Sequence, residues 1–458
     1  MFALYAATLS TDVIRKLADF PNSISAIVYV LTGLIYFFLL PKALSRGRVP
    51  PRPLPVWLVL LSLWCATEAI VHRIPVGIAL LGWVSYVFFV PLFYIGAELM
   101  ADDRHAATAL RVAALAGGIV GLGAITSAVL GQAAPASLQP IVPSVGIHSF
   151  SAGNVYLAPS IFATAEEASE QLLIALFAWA ALTQLPSGRL GRMSSVLLGV
   201  LIAVGLFATA RRADIFVAVS GIVALVCFGF VRHSSSTGQP DPWAVRARRR
   251  LGTALILAAI GSVALLSFLG ASKLVPFLTS GSAGSGTLSL MFSPSHPGSL
   301  TGQGTGTSTQ GAGLVGATSF TGFDIQGKYT GNVIDGRAFT TAEGGLTKTW
   351  LELGFVGVVI YGGVFASALG PAIRSLVRLD GAGRALIILT IALGVVFLKG
   401  HQSLDNPLVQ PLFWLGAGGA WGRLRIAARA RHRNTVASSP PVTASNGIQR
   451  PVSLSGNG

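Results

Sequence analysis

The feature that most constrains this chain is a series of apolar segments, each about 20 residues long, separated by polar stretches. A helix rises about 1.5 Å per residue, so a segment of that length is enough to cross the hydrocarbon core of a bilayer. Hydrophobic residues make up 52% of the chain and charged residues only 11%, whereas soluble domains are about 25% charged. The pattern predicts an all-α polytopic membrane protein and excludes a single water-soluble enzyme.

A hydropathy window of about 19 residues marks eleven spans. We expect them near residues 21–41, 54–71, 74–98, 107–131, 168–185, 193–210, 213–231, 251–271, 347–370, 384–398 and 406–422. The predicted organisation is a membrane bundle of spans 1–8 within residues 1–271, a large loop at 272–346, spans 9–11 within 347–422, and a basic, disordered tail at 423–458.

The distribution of basic residues predicts the orientation. With the N-terminus outside and the C-terminus inside, the inner segments hold 22 of the 32 Lys and Arg residues, as the positive-inside rule requires. Two long loops, about 132–167 and 272–346, then lie outside. The net charge of +15 is spread between apolar segments. A nucleic-acid partner is therefore not expected, since such proteins gather positive charge on one face.

Two adjacent arginines, Arg211 and Arg212, fall in the short joint between spans six and seven. Positive charge at an outer helix end opposes the topological bias, so it indicates an anionic ligand held near the membrane surface. A guanidinium suits phosphate because its fork binds two oxygens at once and stays charged. The alternative is a structural role, in which the arginines pair with Asp214 or reach lipid headgroups.

Span nine opens with a second group of charges. Lys348 and Glu352 stand four residues apart and share a helix face, which also allows a simple intrahelical ion pair. Lys328 and Arg337 in the large loop are, with Lys348, further candidates for binding an anionic substrate. Glu343, between the loop and the span, is a candidate general base if desolvation raises its pKa.

Histidines supply the remaining candidate bases. His148 lies in the first outer loop and His401 between spans ten and eleven, and either imidazole can accept a proton near neutral pH. Within span two, Glu68 and His72 are spaced i, i+4 near the outer end. A carboxyl group at that depth indicates a proton relay or a structural pair.

Several common signatures are absent from the sequence. No Walker A, HExxH, GxSxG or CxxC motif occurs, and the glycines of GQGTGTSTQG match a phosphate loop only weakly. Cys65 and Cys227 both lie inside apolar runs, which is typical of buried free cysteine rather than of a metal site or disulfide. We therefore expect neither a metal nor another cofactor.

The order of the motifs resembles the bacterial O-antigen polymerase and O-antigen ligase superfamily of polytopic glycosyltransferases. The likeness spans about residues 150–420. It rests on SIFATAEEASEQLL entering a span, on TARRADIFVAVSGIVAL with arginines at an outer joint, on one large outer loop, and on LTKTWLELGFVGVVIYGGVF after it. In the last motif, Glu352, Leu353, Gly354 and Gly357 are similar to the family's Glu-Leu-Gly helix.

The resemblance implies a GT-C-like fold in the bacterial inner membrane, with the large loop and the N-terminus in the periplasm. The implied reaction moves an oligosaccharide from an undecaprenyl diphosphate carrier to an acceptor sugar hydroxyl, without metal or nucleotide. Arg211 or Arg212 would hold the diphosphate, and a base chosen among Glu343, His401 and His148 would take the acceptor proton. A flippase and a chain-length regulator are the expected protein partners.

Two departures from the family bear on which reaction is expected. The ligase branch carries a histidine motif in its large loop, whereas His296 stands there alone, and Ala158 replaces the arginine expected before PSIFA. These differences favour a polymerase over a ligase that transfers polymer to lipid A core. Two further hypotheses are a lipid or polysaccharide transporter and a noncatalytic scaffold. A transporter would show internal halves with interrupted helices that face each other, and the sequence contains no such repeat.

Overall fold

The computed structural model describes residues 26–45, 53–140, 147–150, 153–162, 164–185, 191–231, 300–309, 317–322, 329–340, 345–376, 379–399 and 409–438, with Ile14, Val315 and several positions between 252 and 262. This part of the chain is mostly helical. The helices are α1 (Ala26–Ser45), α2 (Pro53–Val71), α3 (Val76–Trp83), α4 (Leu92–Leu99), α5 (Asp103–Leu130), α6 (Ala165–Thr183), α7 (Arg192–Ala208), α8 (Arg212–Val231), α9 (Gly345–Arg374), α10 (Gly381–Lys399) and α11 (Gln410–Ser438).

Five helical stretches are long and apolar enough to cross a membrane. They are Ile27–Ser45, Pro53–Val71, Val76–Leu99, Asp103–Ala133 and Gly345–Arg374. Large apolar side chains such as Phe37 (77% exposed) and Ile70 (76% exposed) point out of the bundle. Such exposure is expected where lipid is the solvent, because lipid tails are as apolar as leucine. The protein is therefore a helical membrane protein.

The described helices overlap ten of the eleven predicted spans, and the eighth, near 251–271, lies largely outside the described residues. One boundary prediction was wrong. The segment predicted as a disordered tail after residue 422 continues α11 to Ser438. Its stretch of alanine and arginine, both strong helix formers, explains the extension.

The helices pack through small residues. A Cβ placed on Gly205 in α7 would lie only 2.4 Å from the Cα of Gly121 in α5. Close backbone approach of this kind is typical of membrane helices, where association depends on van der Waals contact. α6 is the central helix, with every residue from Ala168 to Thr183 buried. Ser169 and Glu170, just after its first turn, are therefore held inside the bundle.

We call one end of the bundle the loop end: α2, α5 and α7 end there, and α6, α8 and α9 begin there. Two small antiparallel sheets, which the sequence pattern did not predict, accompany the connections at this end. The first is the hairpin of β1 (Ile147–Phe150) and β2 (Gly153–Tyr156). The second has the order β3 (Thr318–Gly322), β4 (Tyr329–Ile334), β5 (Arg337–Thr340), with Asp335 and Gly336 forming the tight β4–β5 turn.

Candidate functional site

Residues 300–309, here called the inserted segment, enter the bundle at the loop end between α2, α3 and α9. Thr305 and Thr307 are completely buried. Thr305 Oγ1 donates a hydrogen bond to the Cys65 carbonyl oxygen of α2 at 2.8 Å, and the Gln303 amide donates to the Leu351 carbonyl of α9 at 2.7 Å. The segment is thus bound to two helices by its backbone and side chains.

Glycines make this close approach possible. Gly306 has a φ of +89°, and a Cβ placed on it would lie 2.1 Å from the carbonyl oxygen of Ile78. A Cβ on Gly302 would lie 2.2 Å from the backbone of Glu352. Gly302 and Gly306 therefore bring the inserted segment against helix backbone, and these glycines of the weak phosphate-loop match have a packing explanation.

α9 is interrupted where the inserted segment meets it. Gly354 has φ +64° and ψ −169°, which breaks the helical backbone. The Val356 amide donates to the Leu300 carbonyl at 3.3 Å, and Trp64 Nε1 donates to the Leu353 carbonyl at 2.8 Å. Backbone groups released by the break are thereby satisfied from neighbouring elements, as non-helical backbone at membrane depth requires.

Two buried carboxyl groups hold the inserted segment. Glu68 of α2 is 1% exposed and accepts the Gly302 amide at 3.2 Å. Glu352 of α9 is completely buried and accepts the Ser308 amide at 2.6 Å and the Thr309 hydroxyl at 3.0 Å. Both carboxyl groups therefore lie between a helix and the same ten-residue segment.

Lys348, predicted to bind substrate, is only 1% exposed. Its Nζ donates to Ser85 Oγ at 3.1 Å, lies 3.9 Å from Glu352 Oε2, and stands 4.8 Å from the centre of the Tyr86 ring. Its predicted proximity to Glu352 is confirmed. Ser85 and Tyr86 belong to the π-helical segment Val84–Phe88 that joins α3 to the turn before α4, and π-helical turns are frequent at functional sites.

Arg337 lies on β5 at the mouth of this region. Its Nη2 donates to the carbonyl oxygens of His72 at 3.0 Å and Arg73 at 3.3 Å, just after α2 ends. His72 Nε2 in turn lies 3.2 Å from Glu68 Oε2. Partial burial, and secondarily the Arg337 charge, hold the pKa of His72 below its usual value. The imidazole is therefore mainly neutral at pH 7.

Arg211 belongs to a second group at the loop end, which we call the arginine cluster: Glu166, Ser169, Glu170, Arg211 and Asp214. Arg211 Nη2 lies 2.6 Å from Glu166 Oε1, with side chains 17% and 41% exposed. Asp214, 1% exposed, accepts a hydrogen bond from the Ser169 hydroxyl. Glu170 is 2% exposed.

Local sequence explains how the arginine cluster is positioned. Thr164 and Glu167 form a capping box that begins α6, which places Glu166 and Glu170 in the first turns of that helix. Ala210 adopts a φ of +57° in the joint between α7 and α8, so Arg211 follows a sharp turn and faces α6. Arg212, the other predicted diphosphate ligand, is partly exposed at the first position of α8.

The other predicted site residues are distributed differently. His148 lies in β1, opposite Val155 of β2. Glu343, His401 and Lys328 lie outside the described residues. In the part of the chain that the structure describes, no group of three or more His, Cys, Asp and Glu side chains could hold a metal ion.

Sequence reasoning missed two polar residues deep in the bundle, Ser85 and Gln410. Gln410 is completely buried at the start of α11, and its Nε2 donates to the Ser85 carbonyl at 2.6 Å. Both stand in apolar surroundings in the sequence, and only the structure shows that Ser85 contacts Lys348 and that Gln410 contacts Ser85. A search for isolated polar residues within predicted spans would have selected both.

No model of a known protein family matches the chain, and comparison with curated proteins finds no significant match. Arguments about function therefore start from the two polar groups at the loop end. One surrounds the inserted segment and the other surrounds Arg211.

Proposed function

We propose that this protein is a membrane glycosyltransferase that polymerises lipid-linked oligosaccharide repeat units into a surface polysaccharide. The observation that carries the proposal is Arg211, a partly exposed guanidinium at the loop end of an apolar bundle, followed directly by Arg212. In the proposed topology of eleven spans, this end faces the periplasm, with the N-terminus periplasmic and the C-terminus cytoplasmic in the bacterial inner membrane.

The pairing of Arg211 suits reversible binding of a diphosphate. Its partner Glu166 is 41% exposed, so the carboxylate can be hydrated when it leaves. A diphosphate offers more negative charge and more oxygens to the guanidinium fork than one carboxylate does. Undecaprenyl diphosphate-linked oligosaccharide would therefore displace Glu166 from Arg211, with the lipid chain held along the apolar outer surface of the bundle.

In the proposed reaction, the hydroxyl oxygen of the acceptor sugar attacks the anomeric carbon of the growing chain. The bond from that carbon to the diphosphate oxygen breaks, and undecaprenyl diphosphate leaves with the electron pair. Arg211 and Arg212 stabilise the negative charge that develops on the leaving group. A base takes the acceptor proton, and Glu343, His401 and His148 are the candidates for that role. The proposal requires no cofactor.

Reconstitution tests this proposal. Purified protein in liposomes is incubated with a lipid diphosphate-linked repeat, and the product is sized on a gel. We expect the native protein to form a ladder of integral repeats. Arg211→Ala should lower the polymerisation rate about 10²- to 10³-fold, which is the typical effect of removing one preorganised hydrogen-bond donor. Arg104→Ala, an exposed arginine at the opposite end of the bundle, is the matched control. Normal ladders from both Arg211→Ala and Arg212→Ala would refute the role of the arginines.

One observation favours a transporter as the second candidate. The π-helical segment Val84–Phe88 and the break at Gly354 interrupt two apolar helical stretches, and the Lys348–Ser85 hydrogen bond joins these stretches. Facing interrupted helices are typical of transporter binding sites. The same liposomes distinguish the two functions. A lipid-linked sugar that changes sides without becoming longer would support transport and contradict the polymerase.

A further inference from the structure

Among the described residues, no lysine or arginine pairs with the buried carboxyl group of Glu68. This residue lies within a helix that is apolar enough to cross a membrane, and only 1% of its side chain is exposed. Its polar contacts in the described part of the chain are the Gly302 amide at 3.2 Å and His72 Nε2 at 3.2 Å. Glu352, by contrast, has the Lys348 ammonium 3.9 Å away.

The other charged groups near Glu68 are directed elsewhere. Arg337 of β5 donates to the carbonyl oxygens of His72 and Arg73, and Lys348 of α9 donates to Ser85. Further titratable groups on the elements packed here are Cys65 and Arg73 of the α2 region, Glu352 of α9, and Asp335 in the β4–β5 turn. The inserted segment carries no titratable side chain.

An ionised Glu68 would be unfavourable in this environment. A buried carboxylate without a counter-ion carries a large desolvation penalty, which is why such groups take up a proton instead. A neutral carboxyl group satisfies the local geometry. A proton on Oε2 would point towards His72 Nε2, which lies 3.2 Å away, and a lone pair of the same oxygen accepts the Gly302 amide.

We propose that Glu68 and His72 form a proton-binding site, and that the proton held on Glu68 keeps the inserted segment seated between α2 and α9. When the proton leaves, the carboxylate requires water. Water reaches it once residues 300–309 move, because this segment covers both Glu68 and the neighbouring Cys65. The site therefore couples pH to opening of the loop end. This inference is independent of the reaction proposed above.

Infrared spectroscopy of the purified full-length protein tests the proton directly. We expect C=O stretching absorption from protonated carboxyl groups at neutral pH, and we expect Glu68→Gln to remove the component that Glu68 contributes while any component from the buried Glu170 carboxyl stays. Glu98→Gln, which replaces a partly buried carboxyl in α4, is the matched control and should leave the band in place. A spectrum in which Glu68→Gln removes no protonated carboxyl band would overturn the proposal.

Native cysteines report the opening. Cys65 is buried beneath the inserted segment, whereas Cys227 of α8 lies on the outer surface of the bundle. The alkylation rate of Cys65 is divided at each pH by the rate of the same thiol in denatured protein, which removes the pH dependence of thiol reactivity itself. We expect this ratio to rise with pH, by up to about tenfold per pH unit, the limit for release of one proton.

Two variants make the alkylation test decisive. Glu68→Gln mimics the protonated acid, so the ratio should stay low at every pH. His72→Gln alters the acceptor of the Glu68 proton, so the rise should occur at lower pH. A flat ratio in the native protein, or variants that follow the native curve, would contradict the proposed site. If Glu68→Gln fails to fold, the shift expected for His72→Gln still decides.

Discussion

Replacement of Gly306 by alanine should displace the inserted segment. Two costs follow from the geometry. The φ of +89° lies outside the region that L residues favour, at a cost of about 1–2 kcal/mol. The new Cβ would stand 2.1 Å from the Ile78 carbonyl oxygen, which belongs to a helix backbone, and overpacking against such a neighbour costs about 1–3 kcal/mol. Together the costs are about 2–5 kcal/mol against the seated segment.

Alkylation of Cys65 measures this displacement. Each 1.4 kcal/mol changes an equilibrium about tenfold. The alkylation rate of Cys65 in Gly306→Ala should therefore exceed the native rate by a factor between about 30 and a few thousand. Gly336→Ala is the first control, since it carries a φ of +75° but a Cβ there meets nothing within 4 Å. Gly362→Ala, in open space on α9, is the second. Both controls should leave the Cys65 rate within about threefold of the native rate.

The result that would refute the reasoning is specific. If Cys65 is alkylated at the same rate in Gly306→Ala as in Gly336→Ala, the close contact between Gly306 and Ile78 does not hold the inserted segment in place. A rise in Cys65 alkylation that coincides with general loss of structure, seen as a matching fall in the thermal unfolding midpoint, would mean that the whole bundle has opened rather than the segment alone.

Two further predictions concern the end of the bundle opposite the loop end. Arg423, 6% exposed, bridges Asp380 and Asp103. Arg423→Met should lower the free energy of unfolding by about 1–3 kcal/mol, which is less than for a fully buried ion pair because both aspartates are part-exposed. Thermal unfolding in detergent measures this loss. Replacement of the exposed Arg374 by methionine is the control and should leave the unfolding midpoint nearly unchanged. The amides of His105 and Arg104 hold the pKa of Asp102 below its usual value. The ionised Asp102 carboxylate should stabilise the protein fully above about pH 4, and this stabilisation should be lost as the pH falls through the folded-state pKa of Asp102. The native protein and Asp102→Ala should therefore have more similar unfolding midpoints in acid than at neutral pH. A difference that stays constant with pH would contradict the capping role.

The helix positions were largely predictable because apolar runs end at charged or glycine-rich joints. The predicted segments 54–71 and 213–231 coincide with the helices α2 (Pro53–Val71) and α8 (Arg212–Val231). Hydrophobicity is local information that a window can read. The β4–β5 hairpin was missed although Asp335 and Gly336 carry the dipeptide that commonly forms tight hairpin turns.

The candidate site was predictable only in part. Spacing placed Lys348 and Glu352 on one helix face, and the charge bias selected Arg211. Spacing could not show that residues 300–309 enter the bundle, since Gly302 and Glu68 are 234 residues apart in the chain. Polar, glycine-rich sequence is also typical of exposed loops. The buried position of this segment depends on glycine contacts and carboxyl acceptors that become visible only in three dimensions.

The long separation between Glu68 and Gly302 also orders the biogenesis of the protein. During synthesis, α2 enters the bilayer before the ribosome has made the amide that its carboxyl group later accepts. Inserting an ionised acidic side chain costs about 2.5–3.5 kcal/mol at the centre of a span and less near the end, where Glu68 lies. A protonated Glu68, with His72 one turn away, lowers that cost during the interval. The inserted segment takes its place after α9 has arrived with Glu352, so its seating is a late event in assembly.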